Sequence, residues 1–179
     1  MTNDFTWPIP FAELSDGSLT LRGLKASDAD DIYLCAIDDR MKKYTQVPYE
    51  YTREMALDFA TRQTSHIVFA LQCDEFGERY CGNIEARLVD ASIPSVSIGY
   101  NTAPWARGRG LQARALELLM KHCFANGINR VEVRAAVDNS ASRHVAEVAG
   151  CRFEGIMRHG ENLHGKLQDL AVYAKLAAD

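Results

Sequence analysis

A strand that stops at a proline and continues as a glycine-rich helix start is the feature that most constrains this chain. In the stretch SIGYNTAPWARGRGLQARALELL, Pro104 ends an alternating strand, and Gly108 and Gly110 precede an amphipathic helix. The stretch holds three arginines, and residues 91–116 contain no Asp or Glu, although the whole chain has 24 acidic residues against 20 basic ones. A local positive field in a chain of formal charge -4 predicts a site for an anion.

Three interpretations of this arginine loop (residues 107–110) have to be compared. In the first, the charges are solvated around a plain turn, although cations are disfavoured at a helix N-terminus unless an anion lies among them. In the second, Gly108, Gly110 and Ala113 match the G-x-G-x-x-A motif of dinucleotide-binding folds. That fold requires several parallel strands after the motif, whereas this chain ends in a predicted hairpin. A Walker P-loop is excluded because no GK[ST] follows. The third interpretation depends on a family resemblance.

The composition predicts one domain that is directed neither to a membrane nor to nucleic acid. With 179 residues, of which 47% are hydrophobic and 25% charged, residues 1–179 fit a single domain with its own core. We expect a cytoplasmic protein, since no apolar run reaches about 20 residues and the start MTNDFTWPIPF lacks signal-peptide order. Mild acidity without a basic tract argues against nucleic acid. The five cysteines show no zinc-type spacing, which predicts buried free thiols and no metal.

The order of the predicted elements indicates the α/β class with a mixed sheet. Strands are predicted at 18–24, 66–74, 77–90, 95–102 and 130–137, with a final hairpin of 151–158 and 167–176. One helix follows a predicted N-cap at Ser27, a second runs from an N-cap at Thr52 to about Thr64, a third follows the arginine loop and ends at Asn126-Gly127, and a fourth follows Asp138 or Asn139. The segment MKKYTQVPYEY is predicted to be a loop, as is GENLHG within the final hairpin.

The sequence R-G-R-G-L-Q, after a strand and before an amphipathic helix, resembles the R/Q-x-x-G-x-G/A pyrophosphate loop of the GNAT acetyltransferases. Arg107 and Gly110 take the first two marked positions, and Gln112 departs from Gly or Ala at the third. SIGYNTAPWARGRGLQARAL, VDNSAS, FEG, GENLHG and DLAVYAKL are similar to the RimJ/RimL ribosomal-protein N-terminal acetyltransferases, most closely RimL. The resemblance is strong over residues 95–176 and elsewhere covers only the pattern of elements. It implies the GNAT fold, a twisted, mostly antiparallel mixed sheet of seven strands with four helices in this chain's pattern.

The resemblance implies acetyl-CoA as cosubstrate and no metal. The pyrophosphate would lie on the N–H groups of residues 109–113, where glycines allow close backbone approach and arginine side chains add charge-assisted contacts. The strand backbone from Tyr100 to Thr102 would pair with the pantetheine arm. Asn139 would hydrogen-bond the pantetheine or the product, or serve only as a helix cap. The implied cofactor residues are Tyr100, Thr102, Arg107, Gly108, Arg109, Gly110, Leu111, Gln112, Ala113, Asn139 and Ser142.

The resemblance also implies the catalytic groups. Many acetyltransferases of this fold place a tyrosine acid where this chain has Ala146, so Ser142 takes the role of protonating or hydrogen-bonding the CoA sulfur. Its alternative is a plain first-turn helix residue. Glu161 aligns with the family's proposed base, acting on the ammonium directly or through water; without the resemblance it is an ordinary loop glutamate. His159 and His164 flank it and read either as bases or as surface histidines.

The predicted reaction is acetyl transfer to a primary amine in a ternary complex, the best candidate being the N-terminal α-amine of a protein such as a ribosomal protein. An α-amine with a pKa of about 8 needs less help to lose its proton than a lysine at about 10.4. Polyamines, aminoglycosides and amino acids are alternative acceptors. A non-catalytic acyl-CoA-binding domain is a further alternative, which the presence of both Ser142 and Glu161 disfavours. Trp105 is expected either to cover the cofactor or to pack within its own loop. The sequence leaves the oligomeric state open, and a homodimer is one option.

Overall fold

Eight strands pair into one sheet in the order β1-β2-β3-β4-β5-β6-β8-β7, in a computed structural model that describes residues 5–179. The strands are β1 (Leu14–Ser15), β2 (Leu19–Arg22), β3 (Ile67–Cys73), β4 (Tyr80–Asp90), β5 (Ser95–Thr102), β6 (Arg130–Ala136), β7 (Arg152–Leu163) and β8 (Lys166–Leu176). The α-helices are α1 (Ala29–Ala36), α2 (Asp39–Tyr44), α3 (Arg53–Thr61), α4 (Leu111–Ala125) and α5 (Ser140–Val148). Every neighbouring pair is antiparallel except β5 and β6, which confirms the predicted α/β, mostly antiparallel class.

The core forms where the apolar faces of the strands meet the helices. α4 packs across β2, β4, β5 and β6 and buries Leu116 and Leu119, while α1 packs against α3 and β4. Phe69 of β3 and Ile84 of β4 are fully buried. The five cysteines are free and buried, as predicted, and burial raises the pKa of the Cys81 thiol to about 11. The five buried side chains therefore belong to the packing of the core.

The parallel pair β5–β6 separates toward its carboxyl end. The two strands are paired only between 95–98 and 130–133. Beyond this point β5 continues on β4 alone, with Thr102 opposite Gly82, and β6 continues on β8 alone, with Ala136 opposite Leu170. This divergence leaves one edge of β5 without a strand partner from residue 99 onward. That edge includes the backbone from Tyr100 to Thr102, for which the resemblance implied pairing with the pantetheine arm.

Two short elements differ from the sequence prediction, so the described chain has eight strands and five helices in place of seven and four. β1 adds a two-residue strand beside β2. The predicted MKKYTQVPYEY loop is wrong in its first part, because residues 41–44 belong to α2. The Asp38 side chain caps this helix by accepting from the Arg40 N–H at 3.1 Å, and Lys42 and Lys43 lie favourably in its last turn.

The predicted N-cap at Ser27 is also wrong, because residues 26–28 form a short 3-10 turn ahead of α1. The buried Asp28 carboxylate accepts from the Lys25 N–H at 2.9 Å and pairs with Arg22 at 2.8 Å. An ion pair between residues six positions apart therefore organises this helix start, which capping propensity alone does not reveal. The other predicted caps are confirmed: Thr52 accepts from the Met55 N–H, and Gly127 adopts a φ of +85° after α4.

The GENLHG segment is not the predicted loop, because β7 continues through Leu163 and leaves a turn only at residues 164–165. A register shift lies between Met157 and Glu161, where His159 has a φ of 50° and its N–H donates to Asp169 Oδ1 at 2.8 Å. After this bulge Glu161 is paired with Gln168 of β8. Pairing with β8 thus overrides the Gly and Asn content that favoured a loop.

None of the helices in the described part of the chain is both long and apolar enough to cross a membrane.

Candidate functional site

The predicted site residues lie around the diverging ends of β5 and β6. Because these strands are parallel, the arginine loop after β5 and Asn139 after β6 both lie at the end of the sheet where the two strands finish. Thr102 is the last residue of β5. The junctions that follow the two strands thus form the two sides of the gap between them.

Two left-handed glycines determine the backbone of the arginine loop. Gly108 and Gly110 adopt φ angles of +75° and +68°. A Cβ added at either position would have no heavy atom of the described residues within 4 Å, apart from those of its chain neighbours. The backbone conformation, and not crowding, therefore requires glycine there. α4 begins directly afterwards, so the N–H groups of Leu111, Gln112 and Ala113 have no intrahelical acceptor. As whole residues these three are only 3%, 4% and 7% exposed, so their side chains pack inside the protein.

The side chains of the three arginines are paired with carboxylates from distant segments. Arg107 pairs with Asp38, Arg109 with Glu75, and Arg114 with Asp16 through an Nε–Oδ2 contact of 2.7 Å. Much of the positive field expected from the acid-free stretch is thus neutralised by acids that folding brings in. Contact of the arginine side chains with an anion stays a prediction. The backbone geometry of the loop does not depend on those side chains.

Gln112 faces the interior at the position where the resembled motif has Gly or Ala. Its Nε2 donates to the Asn83 carbonyl at 3.3 Å and also to the Asn101 carbonyl. The Tyr80 hydroxyl donates to the Asn83 side chain at 2.9 Å, which extends this buried network. The longer side chain therefore fastens the start of α4 to β4 and β5 and leaves only the Gln112 backbone for a ligand.

Ser142 and Tyr100 are hydrogen-bonded across the gap between β5 and α5. Ser142 Oγ donates to the Tyr100 hydroxyl oxygen at 3.2 Å, and the Tyr100 hydroxyl donates to the Ser142 carbonyl at 2.9 Å. Burial raises the pKa of Tyr100, so its side chain acts here as a neutral phenol. The two residues lie 42 positions apart, and sequence reasoning, which used only the Tyr100 backbone, missed this contact.

Asn139 caps α5, since its Oδ1 accepts from the Ser142 N–H at 3.2 Å. The cap interpretation is therefore confirmed. The cap uses the side-chain oxygen of Asn139 and leaves its carboxamide N–H groups available to donate to a ligand. Ala146, at the position of the expected tyrosine acid, is fully buried and carries no acid. Ser142 carries an exchangeable hydroxyl proton in this first turn and contacts Tyr100 across the gap.

Glu161 of β7 lies at the same end of the sheet as Asn139, and β8 separates β7 from β6. The Val137 N–H donates to the Asp169 carbonyl at 3.1 Å, and the next residue of β8, Gln168, is paired with Glu161. The Glu161 side chain is half-buried, and its Oε1 accepts from Gln46 Nε2 at 3.1 Å. Gln46, from the loop after α2, was missed because 115 positions separate it from Glu161.

The aromatic and imidazole side chains around the site have structural contacts. His164 Nε2 contacts the Thr45 carbonyl at 3.0 Å, whereas His159 is an exposed residue of the bulge. Trp105 Nε1 donates to the Tyr80 carbonyl at 3.0 Å, and the Arg79 guanidinium lies 3.6 Å from the centre of its ring. These contacts favour the interpretation of Trp105 as a packed loop aromatic.

Comparison with known proteins identifies the fold and the family. YdaF of Bacillus subtilis (strain 168), a candidate ribosomal N-acetyltransferase, is 35% identical over 97 residues, which are 54% of this chain and only 53% of that protein. The structure of RimL, a ribosomal L7/L12 α-N-protein acetyltransferase in complex with coenzyme A, matches with a TM-score of 0.79 and 22% identity over 96% of this chain and 99% of that one. The microcin C7 self-immunity acetyltransferase MccE, in complex with acetyl-CoA and AMP, matches with a TM-score of 0.80 and 20% identity over 90% and 93%.

At these identities the two solved structures show a shared fold. The model of the acetyltransferase (GNAT) domain family matches residues 18–152, which include the diverging strands, the arginine loop and Asn139. The matched region thus contains most of the geometry described above, and this chain belongs to the GNAT family of acetyltransferases.

Proposed function

We propose that this chain, as one domain spanning residues 1–179, transfers the acetyl group of acetyl-CoA to the N-terminal α-amine of a protein such as a ribosomal protein. The observation that carries the proposal is the gap between β5 and β6, bordered by the helix start of α4 and by the Asn139–Ser142 turn. The names of YdaF and RimL favour a ribosomal protein among primary-amine acceptors. We expect the protein to act in the cytoplasm, where ribosomal proteins are made.

In this proposal the backbone binds the long cosubstrate. The N–H groups of residues 109–113 receive the pyrophosphate, because the helix start provides both unpaired donors and a favourable dipole. The edge of β5 from Tyr100 to Thr102, which has no strand partner on that side, pairs with the amide groups of the pantetheine arm. The Asn139 carboxamide donates to the same arm. These contacts point the thioester toward Ser142.

The catalytic roles follow from what each group can donate or accept. Glu161 takes a proton from the acceptor ammonium, directly or through one water, and the neutral amine then attacks the thioester carbonyl. As the C–S bond breaks, the single Ser142 Oγ proton, which the Tyr100 oxygen accepts in the free protein, turns toward the developing thiolate. The sulfur leaves as a thiol with the second proton that the amine nitrogen loses as the amide forms. Charge builds on the sulfur chiefly in the transition state, so this contact lowers the barrier more than it tightens binding.

A thiol-release assay with acetyl-CoA tests the proposed acceptor. The panel contains peptides with ribosomal-protein N-termini, the same peptides with blocked N-termini, polyamines and aminoglycosides. We expect the highest kcat/KM for free N-terminal peptides and no thiol release with blocked ones. Preference for a polyamine or an aminoglycoside would replace the protein acceptor with a small molecule. Calorimetric binding of acetyl-CoA without release for any amine would indicate a non-catalytic domain.

A further inference from the structure

The segment after α2 is attached to the hairpin that carries Glu161. The Thr45 carbonyl contacts His164 Nε2 at 3.0 Å, and the Tyr49 ring lies 4.4 Å from the His164 ring, measured between centroids. The segment 45–49 thus lies against the β7–β8 turn at two points besides Gln46.

α2 itself is attached to both sides of the gap. Its N-cap Asp38 pairs with Arg107 of the arginine loop, and Lys43 near its C-terminus pairs with Asp138 at 3.0 Å, directly before Asn139. Residues 38–49 therefore run from the proposed pyrophosphate loop, past the end of β6, to the hairpin. The position of Gln46 is determined by this whole set of contacts.

The Gln46 carboxamide nitrogen makes two hydrogen bonds to consecutive residues of β7. It donates to the Asn162 carbonyl at 2.7 Å and to Glu161 Oε1 at 3.1 Å. An amide NH2 group has two N–H donors, so both contacts form at once. The bond to a main-chain carbonyl of the sheet holds the nitrogen in place, and the second N–H is thereby directed at the carboxylate.

We propose that Gln46 is a positioning residue for Glu161, an inference that rests on the proposed function. A half-exposed glutamate samples several rotamers, and a donor bound to one carboxylate oxygen selects among them. With Oε1 held by Gln46, Oε2 is the oxygen that takes the proton. An N–H bond of the acceptor ammonium breaks, the proton passes to Oε2 directly or through water, and the electron pair stays on nitrogen for the attack.

The competing explanation is that Gln46 only attaches its segment to the hairpin. A double-mutant cycle separates the two, because a residue acting through Glu161 loses its influence once the carboxylate is gone, whereas an anchor keeps it. Gln46→Ala removes the donor. Gln46→Glu has the same size but places a carboxylate against Glu161. Gln63→Ala, at an exposed position beyond α3, controls for the chemical change itself.

The experiment measures kcat and KM by thiol release for Gln46→Ala, Gln46→Glu, Glu161→Gln, the double variant Gln46→Ala/Glu161→Gln and the Gln63→Ala control. We expect kcat to fall about tenfold in Gln46→Ala, the effect of one hydrogen bond to a charged group, with KM for acetyl-CoA unchanged. Gln46→Glu should be at least as slow, and the control should match wild type. The double variant should be no slower than Glu161→Gln.

Two results overturn the inference while leaving the proposed function intact. One is a wild-type kcat in Gln46→Ala beside a slow Glu161→Gln. The other is the same fold loss from Gln46→Ala in both backgrounds, which would make Gln46 an anchor. A wild-type rate in Glu161→Gln would instead overturn the base assigned in the proposed function, and the role of Gln46 with it. Thermal unfolding of each variant confirms that the compared proteins are folded.

Discussion

The two sides of the candidate site are built in different ways. Most of the proposed cofactor side is one continuous segment, in which the end of β5, two left-handed glycines and the start of α4 follow each other along the chain. The acceptor side is assembled from segments far apart, since Glu161 of β7 is held by Gln46 at a separation of 115 positions. Backbone conformation therefore makes the first region, and side-chain contacts between distant elements make the second. Substitutions in the first region should therefore act through the backbone conformation, whereas substitutions in the second should act by removing a side-chain contact.

The largest expected effect lies on the acceptor side. Glu161→Gln keeps size and hydrogen bonding but removes the base, so turnover at neutral pH should fall about 100-fold or more. The deficit should shrink as pH rises toward the acceptor's own pKa, about 8 for an α-amine, because free amine is then abundant. Rates of thiol release across pH provide the measurement. A deficit that stays constant with pH would mean that Glu161 positions the acceptor and does not take its proton.

The next effect tests whether the cofactor side depends on backbone conformation. Gly110→Val forces a β-branched residue to a φ of +68°, which costs about 1–3 kcal/mol and disturbs the N–H groups of the loop. Acetyl-CoA affinity in isothermal titration should fall about tenfold. The matched control is Gly127→Val at the other end of α4, where φ is +85° and a Cβ also meets no described atom within 4 Å. It carries similar strain and should keep wild-type affinity.

Equal affinity losses in the two glycine variants would show that overall destabilisation, and not the loop, weakens binding. NAD should not bind to the wild-type protein under the same conditions. Tight binding of NAD without binding of acetyl-CoA would contradict the assigned loop.

A third prediction concerns Ser142, where the two regions meet. Ser142→Ala should lower kcat about tenfold and acetyl-CoA affinity less, because the contact to sulfur strengthens in the transition state. Tyr100→Phe removes the hydroxyl that donates to the Ser142 carbonyl and accepts from Ser142 Oγ, and should lower kcat about threefold. The two losses should not add in the double variant if Tyr100 acts through Ser142. Additive losses, or a loss in affinity alone, would make the pair structural.

The smallest expected effect concerns the ion pair that joins the two regions. Arg107 beside Asp38 holds the pKa of that carboxyl below its usual value. A depressed pKa means that the stabilisation is complete above the unfolded-state pKa of about 3.9 and is lost as pH falls through the lower folded-state value. Asp38→Asn keeps an N-cap residue but loses the charge, so the free energy of unfolding should drop by about 1 kcal/mol at pH 7.

That difference from wild type should shrink as the pH of urea unfolding is lowered below about 4. Asp39→Asn is the matched control, since it removes the same charge from an exposed neighbour in the first turn of α2. Equal losses at the two positions would attribute the effect to the helix dipole and not to the pair with Arg107.

The sequence by itself determined the features that depend on neighbours along the chain. The α/β class with a mixed sheet, the N-caps at Thr52 and Asn139, the end of α4 at Gly127 and the glycine-shaped arginine loop were all predictable. A capping side chain, a left-handed glycine and alternation along a strand act over a few residues. Their preferences are therefore visible in the residues concerned.

Only the tertiary structure decided which distant groups meet. It paired each arginine of the loop stretch with a carboxylate, although the local sequence has no acid. It extended β7 through Glu161 because β8 supplies the partner strand, and it brought Gln46 to that carboxylate and Tyr100 to Ser142. The physical reason is the same in each case: such a contact depends on chain segments brought together by the packing of the whole sheet, so neither partner carries a local signal of it.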